Sequence, residues 1–338
     1  MGCPPPRFFT VDQIEWAVED DESIIRLQAE GFRAYSSGEV SVPPVQTMGQ
    51  PPFHSFLGSK DAQTCVKSGY VAGDPYYVIK VAPGGVQDNP SRGLPVNTGL
   101  MLIFSQMTAR LEAILLDEGL LTEIRTAAAC ALAASHWAPK ELNAIGLVGT
   151  GVQARWQLRL LKAVTPCRRV FVHGRSFERA KQFCQEVAAE GWTAAVASAE
   201  EVARECRLIH TVTTARVPIL RREWVQPGTH ITAVGADAPG KQELDVSLVA
   251  AADLLICDSH AQTFERGEFQ HAAAAGAIDK GQVVEIGVAL DRPKLHRTAA
   301  DQRLTIFDSS GVAVQDVMIA RMVYEALIGG GGSTRARL

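Results

Sequence analysis

The chain has 338 residues, 46% hydrophobic and 21% charged, with a formal net charge of −4 at pH 7. That length accommodates two domains with cores of their own, and the composition is that of a soluble globular protein. The mildly acidic balance argues against nucleic acid or an anionic membrane surface as the main partner, and the longest small-apolar run, "TAAACALAASHWA" (126–138), is too short to span a bilayer.

In chain order, "FFTVDQIEW" carries a capping box, Thr10 with Gln13 three residues on. "DESIIRLQAEGFRAY" places Ile24, Ile25, Leu27 and Phe32 at helical spacing. After the Pro-rich "VSVPPVQTMGQPP", the short runs "TCVKSGYV", "YYVIKVA", "GLMLIFS" and "LEAILLD" predict an antiparallel sheet, the last two forming a hairpin through "QMTAR". "LLTEIRTAAACALAASHWAP" reads as a helix with Thr122 as N-cap and Pro139 as stop. From Ala144 to about Leu304 strands alternate with helices: "AIGLVG", "RVFVHG", "TAAVAS", "LIHTVTT", "HITAVG" and "DLLICDS" are separated by helical patterns, the signature of a parallel sheet with crossover helices. A strand and a long helix, "LTIFDSSGVAVQDVMIARMVYEALI", follow, and "GGGGSTRARL" reads as a flexible tail. The expected class is therefore α/β: a Rossmann-type, doubly wound parallel sheet plus a smaller α+β domain.

The seven cysteines are scattered with no C-x-x-C spacing, and the eight histidines form no H-E-x-x-H pair. Reduced thiols in a cytoplasmic protein, with no metal, are expected. Met1–Pro6 has no apolar signal core, and Pro6 breaks the myristoylation pattern that Met1-Gly2 would open.

"IGLVGTGVQA" places Gly149, Thr150, Gly151, Val152, Gln153 and Ala154 directly after a strand and at the start of a helix. In a G-x-G-x-x-A turn the first Gly allows the sharp turn, the second lets the backbone approach a pyrophosphate, and Ala154 keeps helix and sheet close. The helix N-terminus then attracts the phosphates. The ends of later strands, Thr213, Thr214, Val234 and Gly235, are expected to line the same nucleotide. NAD-selective folds carry an acid at the end of the second strand, whereas "VFVHGRSFERA" offers Arg175 and Ser176. A guanidinium suits a 2′-phosphate, so NADP(H) is favoured with NAD(H) still open; the plainer alternative is an Arg that merely begins the next helix.

Cations stand where they need a reason. Arg125 near a helix start is electrostatically misplaced unless it faces an anion, a substrate carboxylate or a cofactor phosphate; a solvated Arg is the alternative. Lys67 and Lys80 interrupt apolar strands, either on a solvated outer face or toward a carboxylate. Asp237, in "VGADAPGKQELD", ends a core strand where open α/β sheets bind ligands. There it can exchange a proton with a substrate nitrogen, although Asp before a Pro-Gly turn is common in any case.

Taken in order, "LTEIRTAAACALAA", "IGLVGTGVQA", "HITAVGADAPGKQELD" and "FDSSGVAVQD" resemble the ornithine cyclodeaminase/μ-crystallin family, from the first helix to Leu327. The resemblance implies a homodimer, with a substrate and dimerisation domain over 1–125 to which 307–338 returns, and a Rossmann NAD(P)-binding domain over 126–306. It implies Lys80 and Arg125 as carboxylate ligands and Asp237 as the catalytic acid beside the nicotinamide, with "GK-x-EL" stabilising the loop and the next helix start. Many members carry an arginine after the Pro-rich segment; "SVPPVQTMG" has none, and Lys67 supplies a second cation upstream of Lys80. The expected activity is NAD(P)H-dependent reduction of a cyclic imino acid such as Δ1-pyrroline-2-carboxylate or Δ1-piperideine-2-carboxylate. The rivals are an ornithine or lysine cyclodeaminase that recycles NAD⁺, an alanine-type dehydrogenase, and a crystallin-like NADPH-binding protein with little turnover.

Overall fold

The computed structural model describes residues 4–18, 21–49, 54–56 and 62–329. Cys3, the Met1-Gly2 start, the end of the Pro-rich segment and the tail from Gly330 onward lie outside the described residues. The chain divides into two compact units: Met1–Leu27, Ser37–Arg125 and Ala313–Leu338 form the first, and Gln28–Ser36 with Thr126–Val312 the second.

The first unit holds α1 (Val11–Trp16), the start of α2 (Asp21–Ser36), and a seven-stranded sheet made from β1 (Arg7–Phe9), β2 (Val40–Ser41), β3 (Gln46–Met48), β4 (Gln63–Val71), β5 (Tyr76–Gly84), β6 (Leu100–Ser105) and β7 (Leu111–Leu115). The strands β4 to β7 pair antiparallel in chain order, and β1 joins the far edge parallel to β7. Thr10 N donates to Gln13 Oε1 at 3.0 Å, part of the capping box at the start of α1. Alternation puts Gly69, Val78, Ile103 and Ala113 in one buried row across the sheet, and Lys67, Lys80, Met101 and Leu115 in the next. The C-terminal helix, Ala313–Gly329, packs on β4 and β5. At Gly69 a Cβ would stand 3.0 Å from Ser41 O and 3.4 Å from the Ala313 Cβ, so a side chain there is crowded mainly by the neighbouring strand.

Helix α3 (Leu120–Trp137) begins two residues before the expected Thr122 cap. Asp117 is the residue that serves its first turn, accepting from Leu121 N at 2.9 Å. A carboxylate that reaches a free N–H of the first turn stabilises the helix start as well as a hydroxyl would, so the helix starts from the loop acid. Arg125 consequently lies in the second turn.

The second unit carries an all-parallel eight-stranded sheet in the order β10-β9-β8-β11-β13-β17-β15-β16. Its strands are β8 (Ile145–Val148), β9 (Arg169–His173), β10 (Thr193–Val196), β11 (Leu208–Thr211), β13 (His230–Ala233), β15 (Leu254–Cys257), β16 (Val283–Glu285) and β17 (Thr305–Asp308), while β12 (Arg216–Leu220) and β14 (Gln242–Leu244) form a separate parallel pair. Helices α4 (Val152–Leu161), α5 (Phe177–Ala189), α6 (Ala199–Glu205) and α7 (Val246–Ala250) lie between strands. Strands β8, β11, β13 and β17 are buried at every position, as a sheet covered on both faces requires. The expected return at residue 307 is thus too early: β17 is an inner strand of this sheet, and the chain re-enters the first unit at Ala313. Likewise the end of α2, Gln28–Ser36, groups with the second unit.

Candidate functional site

In the first unit, strand register sets the chemistry. Lys67 and Lys80 are directly paired across β4 and β5, so both ammonium stems leave the same face. Like charges at such a pair repel, and both residues are buried, at 8% and 3% exposure. The compensation comes from the C-terminal helix. Asp316 Oδ1 lies 2.9 Å from Lys80 Nζ and 3.0 Å from Arg125 Nε, and Arg125 Nη1 donates to Gln315 Oε1 at 3.2 Å. Burial alone would raise the Asp316 carboxyl, yet the charges of Lys80, Arg125 and Lys67 hold it below its ordinary value. Burial lowers Lys80, with Asp316 opposing the fall. Nearby Asp117 is raised by burial despite its bond from Leu121. Three buried cations thus converge on Asp316, with the buried Asp117 also acting on Lys80. A cluster of cations in a place poor in water is chemically suited to a carboxylate.

Of the residues that sequence patterns nominate, Lys67, Lys80 and Arg125 are brought together, and the solvated alternatives for all three fall away. Asp316 and Gln315 were missed: "VQD" gives no local signal, because a helical acid looks like any solvated one until the register of two strands is known.

The second unit presents the glycine turn at Gly149–Ala154. Gly149 has φ +124°, and a Cβ there would stand 2.8 Å from Val212 Cγ2 and 2.9 Å from Val212 O, so only glycine fits. Gly151 is the N-cap of α4; no side chain caps that helix, and a Cβ at Gly151 would meet nothing within 4 Å. An uncapped helix start behind an open glycine fits a pyrophosphate. Ala154 is fully buried against the sheet, Val152 is exposed, and Gln153 Oε1 accepts from Gln157 Nε2 at 2.7 Å. Arg155, not foreseen, braces the loop by donating from Nη1 to Gly151 O at 3.1 Å and Thr150 O at 3.3 Å while pairing with Glu186.

At the end of β9, Arg175 is exposed just before the N-cap of α5. Ser176 is that N-cap and accepts from Arg179 N at 3.3 Å. Its hydroxyl therefore has a structural duty, whereas the Arg175 guanidinium stands in solvent.

Asp237 follows β13 on a turn, its side chain 50% exposed and 2.5 Å from Lys241 Nζ. The turn is fastened from below by the segment 266–271. Arg266 Nε donates to Asp237 O at 2.9 Å, Gln270 Oε1 accepts from Gly240 N at 2.8 Å, and His271 Nε2 lies 3.1 Å from Lys241 O. Thr213 and Gly235 lie on the loops that follow β11 and β13, bonded to the buried Glu243, while Thr214 is exposed and Val234 nearly buried. The expected loop role of "GK-x-EL" takes this form, and the helix start is served separately: Asp245 caps α7, accepting from Ser247 N at 2.8 Å.

Comparison with known proteins fits this geometry. The model of the ornithine cyclodeaminase/mu-crystallin family matches residues 8–331. The iminosuccinate reductase of Paracoccus denitrificans is 34% identical over 277 residues, covering 81% of this chain and 84% of its own. The Delta(1)-pyrroline-2-carboxylate reductase of the same organism is 31% identical over 278 residues, 81% of this chain and 86% of its own. Among solved structures, an archaeal alanine dehydrogenase dimer with bound NAD superposes with a TM-score of 0.84 at 31% identity, covering 97% of each chain.

Proposed function

The chain belongs to the ornithine cyclodeaminase/mu-crystallin family, and on that premise we propose that it is an NAD(P)H-dependent reductase of cyclic imino acids, working as a cytoplasmic homodimer. The observation that carries the reading is the cluster of buried cations, Lys67, Lys80 and Arg125, gathered at Asp316, a receiver for a small carboxylate. Relatives that reduce an imine next to a carboxylate, as the names of the two Paracoccus enzymes describe, support the same chemistry.

Lys80 and Arg125 take the substrate carboxylate, and Lys67 adds a third cation. The loop Gly149–Ala154 and the start of α4 hold the pyrophosphate. Arg175 favours a 2′-phosphate and hence NADP(H). Bound reduced nicotinamide supplies the hydride that converts C=N to CH–NH. Asp237 serves the ring nitrogen, which must gain or keep a proton as the carbon is reduced. Its side chain is half-exposed and stands beside Lys241.

The test is to incubate pure protein with NADPH or NADH and each of Δ1-pyrroline-2-carboxylate, Δ1-piperideine-2-carboxylate, iminosuccinate, and pyruvate with ammonia, and separately with ornithine and lysine. Nucleotide oxidation with a five- or six-membered cyclic imine is expected. Ammonia release from ornithine or lysine without net nucleotide change assigns a cyclodeaminase instead. Tight NADPH binding with no turnover on any substrate assigns a binding protein.

A further inference from the structure

Glu243 is fully buried, and its carboxylate is used entirely by two loops. Oε1 accepts from Thr213 N at 2.6 Å and Thr213 Oγ1 at 2.7 Å; Oε2 accepts from Thr211 Oγ1 at 2.7 Å and Gly235 N at 2.9 Å. These donors stand at or beyond the carboxyl ends of β11 and β13, neighbours that pair in register up to Thr211 and Ala233. Past that point the ladder ends, and Glu243 takes its place. Gly235 has no room for a side chain there: a Cβ would overlap Thr213 O and stand 2.5 Å from Glu243 Cδ. The backbone that carries Glu243 is itself held, because Glu268 accepts from Glu243 N at 3.0 Å and Leu244 N at 2.7 Å.

A buried carboxylate is an expensive way to join two loops, so the shape it enforces calls for an explanation. The sheet order reverses at β8, with β9 on one side and β11 on the other, and a dinucleotide crosses the sheet at that point. Its adenosine half goes toward β9, where Arg175 stands. Its nicotinamide half is left to the ends of β11 and β13.

We propose that Glu243 is a positioning residue for the nicotinamide half of the nucleotide: it fixes the loops at Thr213 and Gly235 as a preformed ledge without touching the ligand. This rests on the nucleotide-binding reading above. The experiment compares each dinucleotide with its own adenosine half by calorimetry on the full chain: NADPH against 2′,5′-ADP, and NADH against ADP. Glu243→Gln is expected to weaken the dinucleotide at least tenfold and its adenosine half less than twofold. Thr211→Val, at a buried strand position with an isosteric side chain, removes one of the four bonds; it is expected to weaken the dinucleotide several-fold, and Thr211→Ser to restore it. If Glu243→Gln does not fold, the Thr211 pair decides. Equal weakening of both halves, unchanged dinucleotide affinity, or a Thr211→Ser variant as weak as Thr211→Val overturns the inference alone. A wild-type protein that binds neither dinucleotide overturns the nucleotide reading and the inference with it.

Discussion

The two units bury ionisable groups in different ways. The first buries Lys67, Lys80 and Arg125 around Asp316, whose Oδ2 has no hydrogen bond among the described residues. The second buries Glu243, Glu268, Asp258 and Asp308, and answers them with backbone N–H groups and hydroxyls. Ser309 Oγ and Gly311 N donate to Asp258, and Thr263 Oγ1 donates to Asp308. Backbone N–H groups and hydroxyls tie Glu243 and Glu268 to loops, whereas Asp316 is faced by charged side chains. The kind of partner, rather than burial alone, is what differs between the two.

The sharpest way to break that contrast is Asp316→Ala. Removing the acid that Lys80 and Arg125 pair with should cost about 3–5 kcal/mol in urea unfolding, the scale of an uncompensated buried charge. Added acetate should recover part of the loss, because a ligand bound only by the native state stabilises it. A cost below about 1 kcal/mol, the range of exposed pairs, would show that the cluster is effectively solvated.

Asp237, unlike the buried acids of the second unit, is half-exposed, and it should act in chemistry rather than stability. Asp237→Asn is expected to lower kcat by roughly 10²-fold, typical of a positioned acid or base, with nucleotide affinity and melting temperature little changed. Near-normal kcat on an accepted substrate would make the turn structural.

Arg175 extends the comparison to an exposed cation. Arg175→Ala should narrow the preference for NADPH over NADH by about 1 kcal/mol, the scale of a charge-assisted hydrogen bond. A wild-type preference for NADH removes this role.

The gentlest test concerns Asp308, whose carboxyl is pushed up to about 8 by burial and then by the neighbouring Asp258. In the unfolded chain it titrates near the usual ~3.9. The folded state therefore holds a proton that the unfolded state has released, and this contribution to stability is complete below about pH 4 and lost as pH rises toward 8. Asp308→Asn should flatten the fall in stability between pH 5 and pH 8, whose slope from this group is at most about 1.4 kcal/mol per pH unit. Identical pH dependence in the two proteins would mean that Asp308 is ionised throughout.

Much of this was legible in the chain. The strand–helix rhythm from Ala144 and the turn around Gly149 and Gly151 are local signals, since hydrophobic period and glycine placement act over a few residues. The capping box at Thr10 was equally local. Thr122 failed as a cap because the helix already starts at Leu120, where the loop residue Asp117 accepts from Leu121 N. The strand around Ile306 was visible, but its membership of the parallel sheet was not, since a short apolar run does not state its neighbours.

By itself the sequence determined the class of fold, the phosphate turn, and the candidates Lys67, Lys80, Arg125 and Asp237, because residue type and short-range spacing carry that information. Only the tertiary structure decided that Lys67 and Lys80 share one face, that Asp316 comes from 236 residues beyond Lys80 to meet them, and that Glu243 spans two strand ends. The physical reason is register. Antiparallel pairing and helix docking join positions far apart in sequence, and the free energy of a buried charge depends on partners that no local pattern names.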